Sequence, residues 1–307
     1  MTVPLRAYVA LASAQVLVGS LVVTGKVITT SFPVFLASGV RSVIGVAVLG
    51  GILLWRERRL PPVTWRDARD IFWIAFTGMF LFSIFLLYGL RLTTATEGGI
   101  IISTAPALLG LMAFLFMGEH FTRWRGLAIA FAVLGMIVLR VSGNGEGGSG
   151  SLLGNLLVFG ATIGEALFSA LGKPLAGRLS PLAIATYVTF AGLVMFLPFA
   201  VWEAWGYNFA AVPLHAWLPI VYYGVAITAG AFFFWYWGLA QVPASTAAVF
   251  LGILPVSAVL LSYGLLGEQF RWGHVFGLAA VLAGIACVTV PEWRSGSPAS
   301  TSEPQKP

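Results

Sequence analysis

The longest charge-free stretch of the chain limits the folds that are open to it. Residues 204–267 contain no Asp, Glu, Lys or Arg, and their only imidazole is that of His215. Over the whole chain, 59% of the residues are hydrophobic and 9% are charged. A soluble domain of this size needs far more polar surface to cover its core. The sequence therefore predicts a chain whose solvent is a lipid bilayer.

Ten apolar segments are each long enough, at about 20 residues, to cross a hydrocarbon core of about 30 Å as a helix. Because the apolar runs are continuous and not alternating, they favour helices over barrel strands. The fold class expected is all-α and integral to the membrane. The ten predicted spans, numbered in chain order, are residues 7–25, 33–54, 70–90, 94–117, 123–140, 151–171, 180–202, 216–238, 244–266 and 272–290.

The chain also contains one stretch twice. Residues 88–139 match residues 237–288 without a gap, at a constant offset of 149. Since charged residues are scarce, a Gly-Glu pair that recurs in register is hard to explain by chance. Five spans per copy is an odd number, so the second copy must cross the membrane in the opposite sense to the first. The matching residues include Pro106 with Pro255, Gly118-Glu119 with Gly267-Glu268, and Gly135 with Gly284.

The duplication defines the predicted domain organisation. The first five-helix repeat is expected over residues 1–143 and the second over residues 152–290. The Gly- and Ser-rich residues 144–151 between them are expected to form a flexible linker. Residues 291–307, rich in Ser, Pro and Glu, are expected to be a disordered cytoplasmic tail.

The distribution of Lys and Arg predicts the orientation. With the N-terminus in the cytoplasm, twelve of these residues fall on the cytoplasmic side, and only Lys26, Arg91, Arg140 and Arg271 fall on the other. This excess follows the positive-inside rule and puts both termini in the cytoplasm. The basic pI, near 9.8, is therefore explained by membrane orientation and does not require a nucleic-acid partner.

Charged side chains inside a span are costly, so they usually face a bundle interior or a hydrated cavity. Arg41 lies within the second predicted span, and a structural pairing and a substrate-binding role are both open for it. Glu165 lies well inside the sixth span and is a candidate for proton coupling. Glu97 lies about one turn into the fourth span, where solvation at the interface is the favoured interpretation.

Two further pairs of residues suggest structural roles. Pro106 and Pro255 lie in the middle of their helices, where proline removes a backbone hydrogen bond, and they are candidate hinges. Glu119 and Glu268 lie at helix ends. We interpret these two carboxylates as caps that accept backbone N–H bonds at the start of the next helix.

The residues that enzymes and metalloproteins require are missing. The single cysteine, Cys287, excludes an intramolecular disulfide and a thiolate metal cluster. His120, His215 and His274 fall at helix ends without a second ligand at helical spacing, so no metal site is expected. The glycines of the linker lack the context of a phosphate-binding loop. Neither a cofactor nor a catalytic residue is therefore predicted.

The repeated pattern of Pro106, Gly118-Glu119 and Gly135 with its second copy resembles the drug/metabolite transporter superfamily of the EamA type, over about residues 5–290. The resemblance implies a ten-helix carrier in a bacterial inner membrane, with the first four helices of each repeat around a central cavity. It puts nine candidate substrate-binding residues near the path, namely Gln15, Arg41, Phe76, Phe80, Glu97, Ser103, Glu165, Tyr223 and Ser245. For the aromatic residues of the third span, packing is the competing interpretation.

The hypothesis for function is a secondary transporter that exports small amphipathic metabolites by alternating access, with amino acids favoured. A flippase for a lipid or a polyprenyl carrier, and a membrane assembly partner that transports nothing, are the alternatives. The expected partners are a small-molecule substrate and the bilayer, without nucleic acid, and the chain is expected to be a monomer or a weak homodimer.

Overall fold

The computed structural model describes residues 5–117, 122–142, 150–172, 175, 178–239, 241–242 and 249–295. The first part of the chain forms α1 (Leu5–Ser31), α2 (Val34–Glu57), α3 (Trp65–Ala75), α4 (Phe82–Leu92), α5 (Ala95–Ile102), α6 (Ala105–Met117) and α7 (Arg123–Ser142). The second part forms α8 (Leu152–Gly172), α9 (Pro181–Trp205), α10 (Leu218–Tyr222), α11 (Phe232–Leu239), α12 (Ile253–Leu266) and α13 (Trp272–Ser295). The described chain is thus a bundle of helices, as its composition predicts.

Several of these helices can cross a bilayer. Among the described residues, seven helical segments are long and apolar enough to do so, and Phe250–Leu266 and Trp272–Cys287 are shorter apolar helices. The count of ten spans stays a prediction. The last helix continues to Ser295, so the start of the predicted tail is helical, while residues 296–307 lie outside the described part. Of the predicted linker, only residues 150 and 151 are described.

Two helices widen locally into π-helical turns. Phe76–Leu81 joins α3 to α4, and Tyr223–Ala231 joins α10 to α11. The hydroxyl of Thr228 donates to the carbonyl of Tyr223, five residues earlier, at 3.0 Å. Such turns change the direction in which the following side chains point and occur often at functional sites.

The helices of the two parts of the chain pack against each other with small residues at the contact. A Cβ atom added to Gly39 of α2 would lie 2.7 Å from the Cβ of Ala200 in α9, and one added to Gly45 would lie 3.2 Å from Cγ2 of Thr189. Because the residue numbers rise on α2 as they fall on α9, the two helices are antiparallel. Close backbone approach through small residues is typical of helix packing in membranes.

Ion pairs join the two parts of the chain at one end of the bundle. The side chain of Thr64 caps the start of α3 and is bonded reciprocally to Asp67. Arg178, in the connection between α8 and α9, lies 3.1 Å from Asp67 and 2.5 Å from Asp70. We refer to this end, with Glu57 at the end of α2, as the Arg178 end.

Candidate substrate-binding cavity

A cavity of about 270 Å³ lies between α2, α4, α8, α9 and the two π-helical turns. Its wall combines charged, hydroxyl-bearing, aromatic and aliphatic side chains. We call it the central cavity. Its lining residues are Leu21, Arg41, Leu49, Gly78, Met79, Phe82, Ser83, Glu165, Phe168, Ser169, Ala185, Val188, Thr189, Tyr223, Thr228 and Phe232.

Arg41 projects from α2 into the wall of this cavity and is only 5% exposed. Its Nη2 atom donates to the hydroxyl of Ser83 at 2.9 Å. Its guanidinium carbon lies 4.6 Å from the ring centroid of Tyr223, which is a cation–π distance. Its Nε atom is buried and has no hydrogen-bond partner. The guanidinium is therefore held in a fixed orientation with donor capacity left over.

Glu165 reaches the same cavity from α8. Its Oε2 atom is buried and has no hydrogen-bond partner. No ion pair joins Arg41 to Glu165 or to any other described carboxylate. A buried charge without a partner costs several kcal/mol (about 3 or more), which is why such groups mark substrate or ion pathways in membrane proteins. The cavity thus contains a guanidinium group and a carboxyl group that are not paired with each other.

A second cavity, of about 290 Å³, adjoins the central one. Glu165 and Ser169 line both spaces. The second cavity is otherwise lined by Ser103, Pro106 and mainly apolar residues, including Leu251 and Leu254. The hydroxyl of Ser103 donates to the carbonyl of Gly99 at 2.7 Å. Because that donor is used within its own helix, Ser103 contributes mainly shape to this wall.

Both candidate hinges lie beside a break in helical geometry. The α-helix pauses after Ile102, through a turn at residues 103–104, and resumes at Ala105, one residue before Pro106. In the second copy, the 3₁₀ turn Phe250–Gly252 precedes α12, which contains Pro255. At the offset of 149 the first break corresponds to residues 252–253, so the two breaks overlap at Gly252. Bending at these positions remains a prediction.

Five of the described candidate residues lie outside the lining of the central cavity, namely Gln15, Phe76, Phe80, Glu97 and Ser103. Gln15 is 5% exposed, and its backbone carbonyl accepts a bond from the hydroxyl of Ser257 at 3.4 Å. Phe76 and Phe80 stack on each other with centroids 6.1 Å apart. Phe80 also contacts Phe196 at 5.0 Å. The spacing of four residues does put the two rings on one face, but that face packs against α9.

Glu97 is buried, in contrast to the solvated carboxylate expected from its position near a helix end. It is only 2% exposed. Its two oxygens accept bonds from the backbone N–H of Gly150 at 3.1 Å and from Nδ2 of Asn155 at 2.6 Å. Asn155 also bonds to Thr93. Glu97 therefore ties α5 to the start of α8, away from the central cavity.

Glu268 accepts backbone bonds at a helix start, but not at the helix that follows it. Its Oε1 accepts the N–H of Ala95 at 2.6 Å, and its Oε2 accepts the N–H of Thr96 at 2.9 Å. These N–H groups lie at the start of α5, in the first repeat. The prediction that Glu268 caps the helix that follows it in the chain is therefore wrong. A carboxylate is favoured there because the helix start exposes unpaired N–H groups. Glu119 and Ser245 lie outside the described residues.

Sequence reasoning missed several members of the cavity wall. They are the hydroxyl-bearing Ser83, Ser169, Thr189 and Thr228 and the aromatic Phe82, Phe168 and Phe232. Hydroxyl-bearing and aromatic residues are common in membrane helices, so their residue types alone do not indicate that they line a cavity. Of the nine candidates, Arg41, Glu165 and Tyr223 line this cavity; the scarcity of charge indicated the first two, and the resemblance supplied the third.

Comparison with known proteins places this architecture in a family. The model of the EamA-like transporter family matches residues 5–141 and again residues 152–290. The chain belongs to the EamA-like transporter family. This result agrees with the resemblance and with the duplication seen in the sequence.

The relatives of this EamA-like protein are named as transporters. The uncharacterized transporter YetK of Bacillus subtilis is 42% identical over 281 residues, which cover 91% of this chain and 85% of YetK. A probable terminal-alkyne amino-acid exporter of Streptantibioticus cattleyicolor is 30% identical, over 72% of this chain and 74% of the exporter. A crystal structure of another protein has a TM-score of 0.67 at 21% identity, covering 95% of this chain and 99% of that one. The chain is a multi-pass membrane transporter of this family.

Proposed function

We propose that this protein is a secondary transporter that exports amino acids, and that it binds them in the central cavity. The observation that carries the proposal is the presence of Arg41 and Glu165 in one small cavity without an ion pair between them. A free amino acid is a zwitterion with one carboxylate and one ammonium group. The two side chains offer the complementary charges.

Arg41 is the expected partner of the substrate carboxylate. The guanidinium is planar and presents several donors in a fork that matches a carboxylate. Ser83 occupies one donor and Tyr223 covers one face, and Nε remains without a partner. This arrangement fixes the guanidinium before the substrate arrives, which lowers the entropy lost on binding.

Glu165 is the expected partner of the ammonium group. Its free Oε2 atom borders the central cavity and the adjoining one. The volume of about 270 Å³ lies just below the range of pockets for drug-sized ligands, about 300–1,000 Å³, and suits a small metabolite. The rings of Phe82, Phe168 and Phe232 favour an amino acid whose side chain is apolar. A proton-coupling role for Glu165 stays a prediction.

Alternating access by two inverted repeats is the expected mechanism. A Cβ atom on Gly135 of α7 would lie 3.3 Å from the carbonyl oxygen of Gly277 in α13, and one on Gly284 would lie 3.2 Å from that of Ala128. At the offset of 149, Gly135 corresponds to Gly284 and Ala128 to Gly277. The two contacts are therefore equivalents of each other, as a two-fold axis between inverted copies requires.

One relative supports the substrate class. It is named as a probable terminal-alkyne amino-acid exporter, and such an amino acid combines a zwitterionic head with an apolar tail. The central cavity of this chain offers groups complementary to both parts, namely Arg41 and Glu165 for the head and aromatic rings for the tail. The export direction is carried over from that relative and is part of the proposal.

The proposal is tested by measuring the thermal stability of the purified protein with L-amino acids. We expect apolar amino acids to raise the melting temperature, and their amides and decarboxylated amines, which lack the carboxylate, to have little effect. Arg41→Ala should abolish the response, whereas Arg59→Ala, at an exposed position after α2, should retain it. If no amino acid stabilised the wild type, or if Arg41→Ala responded like it, the proposal would be wrong.

A further inference from the structure

A cavity larger than the central one lies toward the Arg178 end of the bundle. It has a volume of about 370 Å³ and opens between α2, α9 and α11. Most of its wall is apolar, and three polar residues lie at its border. Its lining residues are Leu49, Ile52, Arg56, Glu57, Ser180, Pro181, Leu182, Ala229, Phe232, Phe233 and Trp237.

We infer that this cavity is the vestibule through which an amphipathic zwitterion reaches the central cavity, and that Leu49 and Phe232 form the barrier between the two spaces. The identity of the ligand rests on the proposed function. The proposed passage does not, because it is argued from the lining residues that the two cavities share.

The vestibule and the central cavity share a boundary. Among the residues that the structure describes, only Leu49 and Phe232 line both spaces. Leu49 is 2% exposed, so it fills the space between the cavities. Leu49 lies two turns beyond Arg41 on α2, about 12 Å along the helix axis at 1.5 Å per residue. These two side chains therefore lie at the boundary between the two spaces, and in this proposal rotamer changes of the leucine and the phenylalanine open it.

The border of the vestibule is chemically complementary to a zwitterion. The vestibule has a basic and an acidic side chain at its border, Arg56 and Glu57, as the central cavity has Arg41 and Glu165. The carboxylate of Glu57 accepts a bond from the hydroxyl of Ser180 at 2.5 Å, which holds the end of α2 against the start of α9. Arg56 is exposed, has no ion pair with a described carboxylate, and can therefore meet the carboxylate of a ligand. Charged groups at the mouth of a cleft raise the local concentration of a complementary ligand.

The apolar part of the vestibule suits the apolar part of the same ligand. Phe233 and Trp237 are 46% and 39% exposed, so their rings can contact a bound ligand. Aromatic side chains offer large apolar contact areas and tolerate varied shapes. A substrate with a charged head and an apolar tail therefore meets the same two kinds of surface in the vestibule as in the central cavity.

A second apolar space provides a matched control. A groove of about 340 Å³ lies between α5, α7 and α8. It shares no lining residue with the vestibule or the central cavity, and no charged residue lines it. Leu156 lines this groove as Leu182 lines the vestibule. Replacement of either leucine by tryptophan fills a space of similar volume, but only the replacement at Leu182 is expected to block access to the central cavity.

The test measures access to the central cavity with a reporter that does not depend on the substrate. Thr228→Cys, on a background of Cys287→Ser, puts a thiol in the wall of the central cavity. We expect Leu182→Trp to slow the reaction of that thiol with a small water-soluble methanethiosulfonate about tenfold or more, and Leu156→Trp to leave the rate within about twofold. Equal rates in the two variants would overturn the inference.

A second readout guards against misfolding and separates the two proposals. Leu182→Cys, on the same background, is purified and shown to transport before it is modified with a bulky thiol reagent. Amino-acid efflux should fall about tenfold while the equilibrium Kd stays within about twofold, because the passage is blocked and the site is not. A parallel loss of affinity would show that the cavity belongs to the binding site and would overturn the inference. If no amino acid bound at all but the thiol rates differed as expected, the proposed function would fail and the passage would stand.

Discussion

At the scale of single residues, the environment of Arg41 explains how a charge is kept inside a bundle of apolar helices. Its guanidinium bonds to Ser83 and lies over the ring of Tyr223. A cation–π contact is worth about 2 kcal/mol or more in a desolvated site. A hydrogen bond to a charged group contributes about 1.5–3 kcal/mol. These two contacts hold the side chain in place and leave its Nε atom for a ligand.

Replacement of Tyr223 tests the contribution of its ring. Tyr223→Phe keeps a ring face for the guanidinium, so we expect amino-acid affinity to stay within about threefold of the wild type. Tyr223→Leu removes the ring and should lower affinity about tenfold or more, since 1.4 kcal/mol corresponds to a factor of ten. Isothermal titration of the three proteins gives the comparison. If the Phe variant lost as much affinity as the Leu variant, the hydroxyl and not the ring would be the important group.

Replacement of Ser83 tests the hydrogen bond that orients Arg41. Ser83→Ala should lower amino-acid affinity about fivefold to tenfold, because the guanidinium loses a partner and must be fixed by the substrate alone. Ser169→Ala is the control, since Ser169 lines the same cavity and has no bond to Arg41. Equal affinities of the two variants would contradict the orienting role of Ser83.

At the scale of helices, carboxylates at one helix end meet the start of another helix across the two parts of the chain. Glu203, in the last turn of α9, accepts the backbone N–H of Leu36 near the start of α2 at 2.7 Å. At the other end of the same antiparallel pair, Glu57 of α2 bonds to Ser180, the N-cap of α9. Glu268 accepts two backbone N–H bonds at the start of α5. Carboxylates near helix starts thus join the two repeats, through backbone N–H groups for Glu203 and Glu268 and through a hydroxyl for Glu57.

Replacement of Glu268 tests such a contact. A glutamine can accept one of the two backbone bonds but carries no charge, so Glu268→Gln should lower stability by about 1 kcal/mol, as loss of a helix cap does. Gln269→Ala changes the exposed neighbouring residue and should have no effect. Melting temperatures of the purified variants give the answer. A Glu268→Gln protein as stable as the Gln269→Ala protein would show that the cap is dispensable.

Close packing of α4 against α8 makes a second prediction for the helices. A Cβ atom on Gly89 would lie 2.7 Å from Cγ2 of Val158, and one on Gly154 would lie 2.9 Å from the backbone nitrogen of Thr93. Gly154→Ala should therefore destabilise the protein by about 1–3 kcal/mol through overpacking against backbone. Gly264→Ala, where a Cβ atom meets nothing within 4 Å, should not. The opposite order of melting temperatures would contradict this packing.

At the scale of the whole molecule, two features could be predicted from the sequence. The long apolar segments indicate the membrane environment, and the internal repeat indicates the family. Apolar length and the repeated Gly-Glu pair sufficed for a helical membrane protein of the EamA-like family. The contact between Glu268 and α5 was beyond sequence reasoning, because the two are far apart in the chain. The π-helical turns at Phe76–Leu81 and Tyr223–Ala231 also interrupt the α-helical period of about 3.6 residues per turn. The side chains that follow each turn therefore point in other directions than a regular α-helix predicts.

The inverted arrangement is open to a direct test with introduced cysteines on the background of Cys287→Ser. Thr122 and Gln269 lie in corresponding turns of the two repeats and are both exposed. A membrane-impermeant thiol reagent applied to intact cells should label Gln269→Cys and should label Thr122→Cys only after the cells are opened. Labelling of both from the same side would contradict inverted repeats, and with them the proposed mechanism.

The measurement that tests the central claim most directly is efflux of radiolabelled apolar amino acids from preloaded proteoliposomes. The wild type should release its load at least tenfold faster than vesicles without protein, and Arg41→Ala should release it at the rate of those vesicles. Arg59→Ala should match the wild type. If wild-type efflux equalled that of empty vesicles for every amino acid tested, or if Arg41→Ala transported normally, the central cavity would not be an amino-acid site.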